Sequence, residues 1–401
     1  MLNIYLLSIV VFFGILAILI YLDRKNIEFK YVLLMRRTKK GLKLLDRIAR
    51  FRKFWKIIGI IAIAVCFILV ADSLFSLSLR SWQIITGEVK EGFGGVVFPS
   101  PTPETVVGTG YILIPFWFWI IIIPTILFPH EIAHGIMSRV ERIRVKSAGL
   151  LLLLIIPGAF VEPDEKKLKK AKLLSKLKIF AAGSFANIAF AFFLFNPFLK
   201  AGIIPDVVWP ALVPNHAQLE VFVVNVTENS PADKAGLKNG TVITEINQMP
   251  TEINYVDLIT GQYLSKHLKG VKPGDEIEVV ANNSRYIITA GEIVVNENQT
   301  RPYLGIVTTI KIRGNTQLFN FFMNLFFWMW LLNYAVAVFN ILPIYPLDGG
   351  LMLQAIAERV SKKYNKEIVG AITIVTICLV LFTIFGPSII AGLQSFLSQS
   401  S

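Results

Sequence analysis

Six apolar runs, at residues 2–22, 57–79, 111–137, 177–199, 318–339 and 368–393, each reach the roughly 20 residues a helix needs to cross the hydrocarbon core of a bilayer. Backbone in lipid must satisfy its polar groups internally, so runs of this length admit spanning helices and little else. Composition agrees: the 401 residues are 54% hydrophobic and 17% charged, where a soluble domain carries about 25% charged residues. Mean hydropathy is +0.61. A soluble globular protein is excluded. The run at 2–22 lacks a basic leader and is followed by Asp23-Arg24-Lys25 rather than a small-residue cleavage site. It is therefore expected to remain as an anchor.

The formal charge of +13 is unevenly distributed. Segments 24–56, 138–178 and 351–367 hold 13, 11 and 4 Lys or Arg, which is 28 of the 40. Basic loops mark the cytoplasmic side, and these three alternate correctly with the spans. Both termini, the loop 80–110 and the polar stretch from about 200 to 313 then lie outside. The basic run Arg36-Arg37-Thr38-Lys39-Lys40 reads as a solvated, lipid-contacting loop rather than a nucleic-acid surface, because it follows the membrane alternation. Expected partners are membrane lipid and membrane proteins, with no nucleic acid.

Two cysteines, Cys66 and Cys378, lie in apolar runs and offer neither a disulfide framework nor a CxxC site. A metal would need histidine and carboxylate. The third span contains Phe128-Pro129-His130-Glu131-Ile132-Ala133-His134-Gly135, an HExxH. Helix positions i and i+4 share a face, so His130 and His134 can present two imidazoles to one Zn²⁺, with Glu131 beside the ion. From there a carboxylate can take a proton from water on the metal and hand it to a leaving amine. The chain has four histidines, and two fall here, next to Ile120-Ile121-Ile122-Ile123. Ionisable groups in such a run cost several kcal/mol unless paired or ligated, which marks a functional site. Pro124 and Pro129 free backbone carbonyls and predict a kink or a wet cavity.

The third ligand is expected in Asn340-Ile341-Leu342-Pro343-Ile344-Tyr345-Pro346-Leu347-Asp348-Gly349-Gly350, at the end of the fifth span. The third and fifth spans run in the same direction, which brings Asp348 to the depth of His130 and His134. The alternative for Asp348 is a helix N-cap.

The HExxH, the distant NxxPxxPLDG, Gly158-Ala159-Phe160-Val161-Glu162-Pro163 and Ala182-Gly183-Ser184-Phe185-Ala186-Asn187 together resemble the site-2 protease family of intramembrane zinc metalloproteases. The resemblance covers roughly 111–199 and 318–358. It implies one zinc per chain on His130, His134 and Asp348, Glu131 as general base, and Asn187 as a group that stabilises the tetrahedral intermediate. Asn187 can equally be interhelical glue. Ser184 stands where many members have proline, a departure expected to bear on helix shape rather than on the zinc site. The apolar stretch 148–160 is short for a span and contains Pro157-Gly158. A re-entrant β-hairpin or loop that could pair with an unwound substrate fits the family, and a short interfacial helix is the alternative.

Between about 206 and 311 the composition turns soluble. Val221–Val226, Ser230-Pro231-Ala232-Asp233-Lys234-Ala235-Gly236-Leu237, Gly240–Asn247 and Lys272–Val279 read as strand, capped short helix, strand, and turn into strand. Their order resembles a protease-type PDZ domain, which implies a peptide-binding groove, or a globular plug. Asn225, Asn239, Asn282 and Asn298 begin N-x-S/T patterns that carry no weight alone, and His216 and His267 read as surface histidines. The loop 80–110 is expected to be flexible or sheet-like.

The expected fold is thus an α-helical polytopic membrane protein of about six transmembrane helices, with a re-entrant β-hairpin or loop and an inserted extracytoplasmic α/β PDZ-like domain. Its regions are 1–110 with two spans, 111–199 with the HExxH, 200–313 PDZ-like, and 314–401 with NxxPxxPLDG and the last span. The leading function is a cell-membrane zinc endopeptidase cutting transmembrane proteins near the cytoplasmic side. A silent PDZ scaffold and a metal or proton transporter are the alternatives, the latter without an inverted repeat in support.

Overall fold

The computed structural model describes residues 4–399 apart from 32, 90–91, 93–94, 109, 154–155, 197–200, 212–216, 261–262, 265–266, 297–298 and 315. His216 and Asn298 fall outside the described residues. Among those described, six helices are long and apolar enough to cross a membrane: Ile4–Leu22, Arg52–Ile85, Phe116–Val140, Leu173–Leu194, Thr316–Ile341 and Asn365–Gly392. Each overlaps an apolar run read from the sequence, although residues 111–115 of the third run belong to the strand Gly110–Pro115 and the fourth helix ends at Leu194, and the chain is a multi-pass membrane protein. It divides into two compact units, Met1–Ala191 with Trp328–Ser401, and Phe192–Phe327.

In the first unit the spans pack through small and apolar side chains. Ala62 and Cys66 of the second span meet Leu177 and Ala181 of the fourth, with Ile341 and Met352 in the same cluster. Phe12 of the first span lies edge-on to Phe116 and Trp117, and Trp117 Nε1 donates to Ser8 Oγ at 3.1 Å. Asn333 of the fifth span donates from Nδ2 to Thr125 Oγ1 at 3.1 Å, a polar link of the kind that joins helices in lipid. Pro124 and Pro129 both sit inside one continuous helix.

The segment 24–56 departs from the solvated loop expected of it. It forms the strands Ile27–Lys30 and Leu33–Thr38 and the helix Leu42–Ile48. Leu33–Thr38 pairs antiparallel with Val145–Leu153, which pairs in turn with Ile156–Pro163. The result is a four-stranded sheet with Ile27–Lys30 on one edge and Ile156–Pro163 on the other. The described residues of the apolar stretch 148–160 therefore lie in two paired antiparallel strands, not in an interfacial helix. Its charges explain the docking. Arg37 pairs with Glu28 at 3.0 Å and with Glu162, which also accepts from Ser147 Oγ at 2.7 Å. Basic residues that looked like a lipid-facing run thus satisfy a strand carboxylate. The loop 80–110 is partly sheet: Gly95–Ser100 and Val106–Gly108 flank Gly110–Pro115.

The second unit carries an antiparallel sheet in the order Ser284–Thr289, Glu276–Ala281, Val242–Ile246, Ala217–Val226, Ile306–Gly314, with Met249–Pro250 paired to Val242–Ile246. Val221, Val223, Ile243, Ile246, Ile277, Val279 and Ile288 form its core. The short helix Pro231–Lys234 is N-capped by Ser230, whose side chain accepts from Asp233 N–H. His267, expected at the surface, is buried in this unit; a single imidazole in a polar stretch carries no periodicity from which burial could be read.

Candidate metal centre

The third span brings His130 and His134 onto one face, as a spacing of four residues requires. His134 Nδ1 donates to the Ile179 carbonyl of the fourth span at 2.7 Å. A carbonyl can only accept, so this bond fixes the proton on Nδ1 and leaves the Nε2 lone pair directed away from it. His130 Nε2 lies 3.1 Å from His134 Nε2. Asp348, the first residue of the helix Asp348–Val360, completes the set: Oδ2 is 3.3 Å from His130 Nε2 and Oδ1 is 3.3 Å from His134 Nε2. Asp348 is not the N-cap of that helix; Leu347 is.

Three lone-pair donors facing one another within 4.8 Å form a group able to hold a metal ion. Ligands at about 2.0–2.1 Å on a tetrahedral ion stand about 3.3–3.4 Å apart, close to the separations here. The surroundings are shaped for it. A Cβ placed on Gly183 would collide with Nε2 of both histidines, so only glycine lets the fourth span approach the cluster this closely. At Gly349 a Cβ would run into the Ile341 carbonyl, so glycine permits the tight turn that delivers Asp348.

Ser184 corrects an expectation. Its hydroxyl donates to Asp348 Oδ2 at 3.1 Å, so it orients a prospective ligand and does not act on helix shape alone. Sequence reading missed this because the two residues are 164 positions apart. Gly183 and the Ile179 carbonyl were missed likewise; neither carries a metal-binding signature.

Glu131 does not join the cluster of three. Its Oε2 accepts the Val161 N–H at 2.9 Å, which holds the carboxylate between the histidine helix and the hairpin. Asn187 is fully buried, and neither its Nδ2 nor its Oδ1 has a hydrogen-bond partner among the described residues. It follows Gly183 by four positions and so lies on the same face of the fourth span, one turn along. Among the described residues it makes no interhelical hydrogen bond.

A buried ion pair braces the helices that carry these groups. Lys178 Nζ donates to Glu141 Oε1 at 3.1 Å and Ser175 Oγ to Oε2 at 2.6 Å, joining the end of the third span to the start of the fourth. Burial pushes the Glu141 carboxyl up, but the Ser175 and Lys178 hydrogen bonds outweigh it and hold the group below the ordinary carboxylate value.

A protein of Methanocaldococcus jannaschii described only as uncharacterized is 31% identical over 359 residues, covering 88% of this chain and 86% of that one. The model of Peptidase family M50 matches residues 118–383, a stretch that begins just before the HExxH and runs past Asp348. With the paired histidines and the distant aspartate inside that match, the chain belongs to Peptidase family M50, the site-2 proteases.

Proposed function

We propose that the chain is an intramembrane zinc endopeptidase that cuts transmembrane proteins near the cytoplasmic side. The observation that carries this reading is the placement of Glu131 between two constructions. On one side are the donors of His130, His134 and Asp348; on the other is the outer strand of a sheet, bonded to it through Val161. His130, His134 and Asp348 would hold the zinc ion. When bound, zinc supplies Lewis acidity toward a carbonyl and toward water.

The remaining work falls to side chains and backbone. Glu131 takes the proton from the attacking water and returns it to the leaving amine. Asn187 donates its free amide hydrogens to the oxygen that gains charge. Ile156–Pro163 pairs on one side with Val145–Leu153 and ends the sheet. Val161 N–H points outward to Glu131, and peptide direction alternates along a strand, so Ala159 also turns its N–H and C=O outward. Pro157 and Pro163 bring no donor, which keeps this open edge short. An unwound substrate segment added along Ala159 and Val161 would lie against the general base.

The capped helix and antiparallel strands of Phe192–Phe327 support an extracytoplasmic PDZ-like unit that engages substrate. The basic segments 24–56, 138–178 and 351–367 support a cytoplasmic face at the end of the third span.

The test is cleavage of single-span membrane peptides by the purified full-length protein, with and without a zinc chelator and with zinc restored. Chelator-sensitive cleavage at a peptide bond near the cytoplasmic end is expected. Zinc-loaded, folded protein that cuts none of a broad panel would favour a scaffold instead.

A further inference from the structure

Where the second and third spans end together, five arginines surround one cavity. Arg52 opens the helix Arg52–Ile85 and Val140 closes Phe116–Val140, and the Arg52 guanidinium donates to the Val140 carbonyl. Arg50, Arg139, Arg142 and Arg144 line the same space of about 360 Å³. The only carboxylate in that lining is Asp46, which forms an ion pair with Arg139, Oδ1 lying 3.1 Å from Nε. Five positive charges against one leave 5 − 1 = +4 around the cavity.

Among the described residues, Arg50, Arg142 and Arg144 have no carboxylate partner, and the nearby Glu141 is committed to Ser175 and Lys178. Like charges crowded at a concave surface repel, and the field they create is focused into the concavity. Arg142 also holds a left-handed backbone, φ +64°, where glycine or asparagine costs less. The turn thus keeps an arginine at a position its backbone disfavours.

We propose that this cavity is a binding site for a phosphate group. Guanidinium forks match phosphate oxygens in geometry as well as charge. The place suits the ligand: the apolar run of the second span starts at Ile57, five residues after Arg52, and the third span ends at Val140. The cavity therefore lies where hydrocarbon gives way to headgroups. An anionic phospholipid headgroup and a soluble phosphate share this chemistry. Either would tie the segment after the helix Leu42–Ile48 to the end of the metal-bearing helix and to the start of the hairpin, since Arg144 precedes Val145 directly.

The test uses the full-length protein in phosphatidylcholine nanodiscs. One arm titrates inorganic phosphate and reads the thermal unfolding midpoint. The other replaces part of the lipid by phosphatidylglycerol and reads retained lipid by native mass spectrometry. The variant R50Q/R142N/R144Q removes three exposed arginines, with asparagine chosen for the left-handed position, and K166Q/K169Q/K170Q removes three exposed charges elsewhere. The parent is expected to bind in at least one arm, and the arginine variant to lose about tenfold or more of that affinity while the lysine variant keeps it within about twofold. Binding of lipid alone identifies a headgroup; comparable binding of free phosphate identifies a soluble ligand. Should the triple variant fail to fold, R144Q alone serves, with a smaller loss expected. A parent that binds neither probe overturns the proposal, as does equal loss in the arginine and lysine variants.

Discussion

The Val161 N–H donates to Glu131 Oε2 at 2.9 Å, so a carboxylate on the histidine helix is oriented by the outer strand of a sheet. On the proposed reading, the proton acceptor and the backbone edge that receives substrate are thereby joined by a direct hydrogen bond. The group of His130, His134 and Asp348 is fixed independently by Ile179 and Ser184.

One zinc per chain is expected on elemental analysis of the purified protein. His134→Ala and Asp348→Ala should each weaken zinc by more than the roughly 10–100-fold that losing an outer partner costs. Full zinc retention in Asp348→Ala would remove that residue from the ligand set.

Glu131→Gln is expected to keep zinc and fold while proteolysis falls by about 10²–10⁴-fold, the usual contribution of a positioned general base. The amide is nearly isosteric but accepts no proton at neutral pH. Turnover at the parent rate would end the assignment.

Two substitutions on the fourth span separate metal binding from folding. Gly183→Ala adds a methyl that meets both Nε2 atoms, although alanine favours a helix by about 1 kcal/mol over glycine. Zinc should be lost without loss of helix content by circular dichroism. Ser184→Ala removes the hydroxyl that donates to Asp348 and should weaken zinc about 10–100-fold. Zinc affinity unchanged in both variants would contradict the cradle described above.

Lys178→Met leaves Glu141 buried without its cation and should cost about 3–5 kcal/mol of stability, much of it recovered by Lys178→Met with Glu141→Gln. The Glu141 carboxyl is held below its ordinary value, so the pair's contribution is complete above about pH 4.3 and drains away as the pH falls further. Denaturation of parent and double variant across pH 3–7 tests this; parallel curves would show that the pair contributes nothing.

Replacing residues 215–310 by a flexible linker should leave zinc binding intact, because every proposed ligand lies in the other unit. Zinc loss in that variant would place a further ligand in the removed segment.

The spans and the histidine pair were legible because each is a local pattern: an apolar run of sufficient length, and two imidazoles one helical turn apart. Asp348 was legible at longer range because span direction sets its depth. Length and Pro157-Gly158 argued against a span at 148–160, and the hairpin itself was expected only from the family resemblance, whereas its neighbouring strand was not expected at all. Leu33–Thr38 is six residues of mixed apolar and basic character, and its charges suggested lipid until Glu162 appeared beside Arg37. Ser184 and Gly183 were opaque for a different reason: their importance lies in what approaches them, and a helix sequence does not say which of its faces receives an imidazole.

The pairing of Leu33 with Leu153 sets an order on biosynthesis. The two residues are 153 − 33 = 120 positions apart, so at about 5–20 residues per second the first strand waits roughly 6–24 s for its partner to be made. Throughout that interval two further spans must enter the membrane while Leu33–Thr38, paired on one side with Ile27–Lys30, keeps its other edge open. Closure of the sheet thus cannot precede entry of the third span: the edge strand Ile156–Pro163 finds its place only after the chain has threaded the helix that carries His130 and His134.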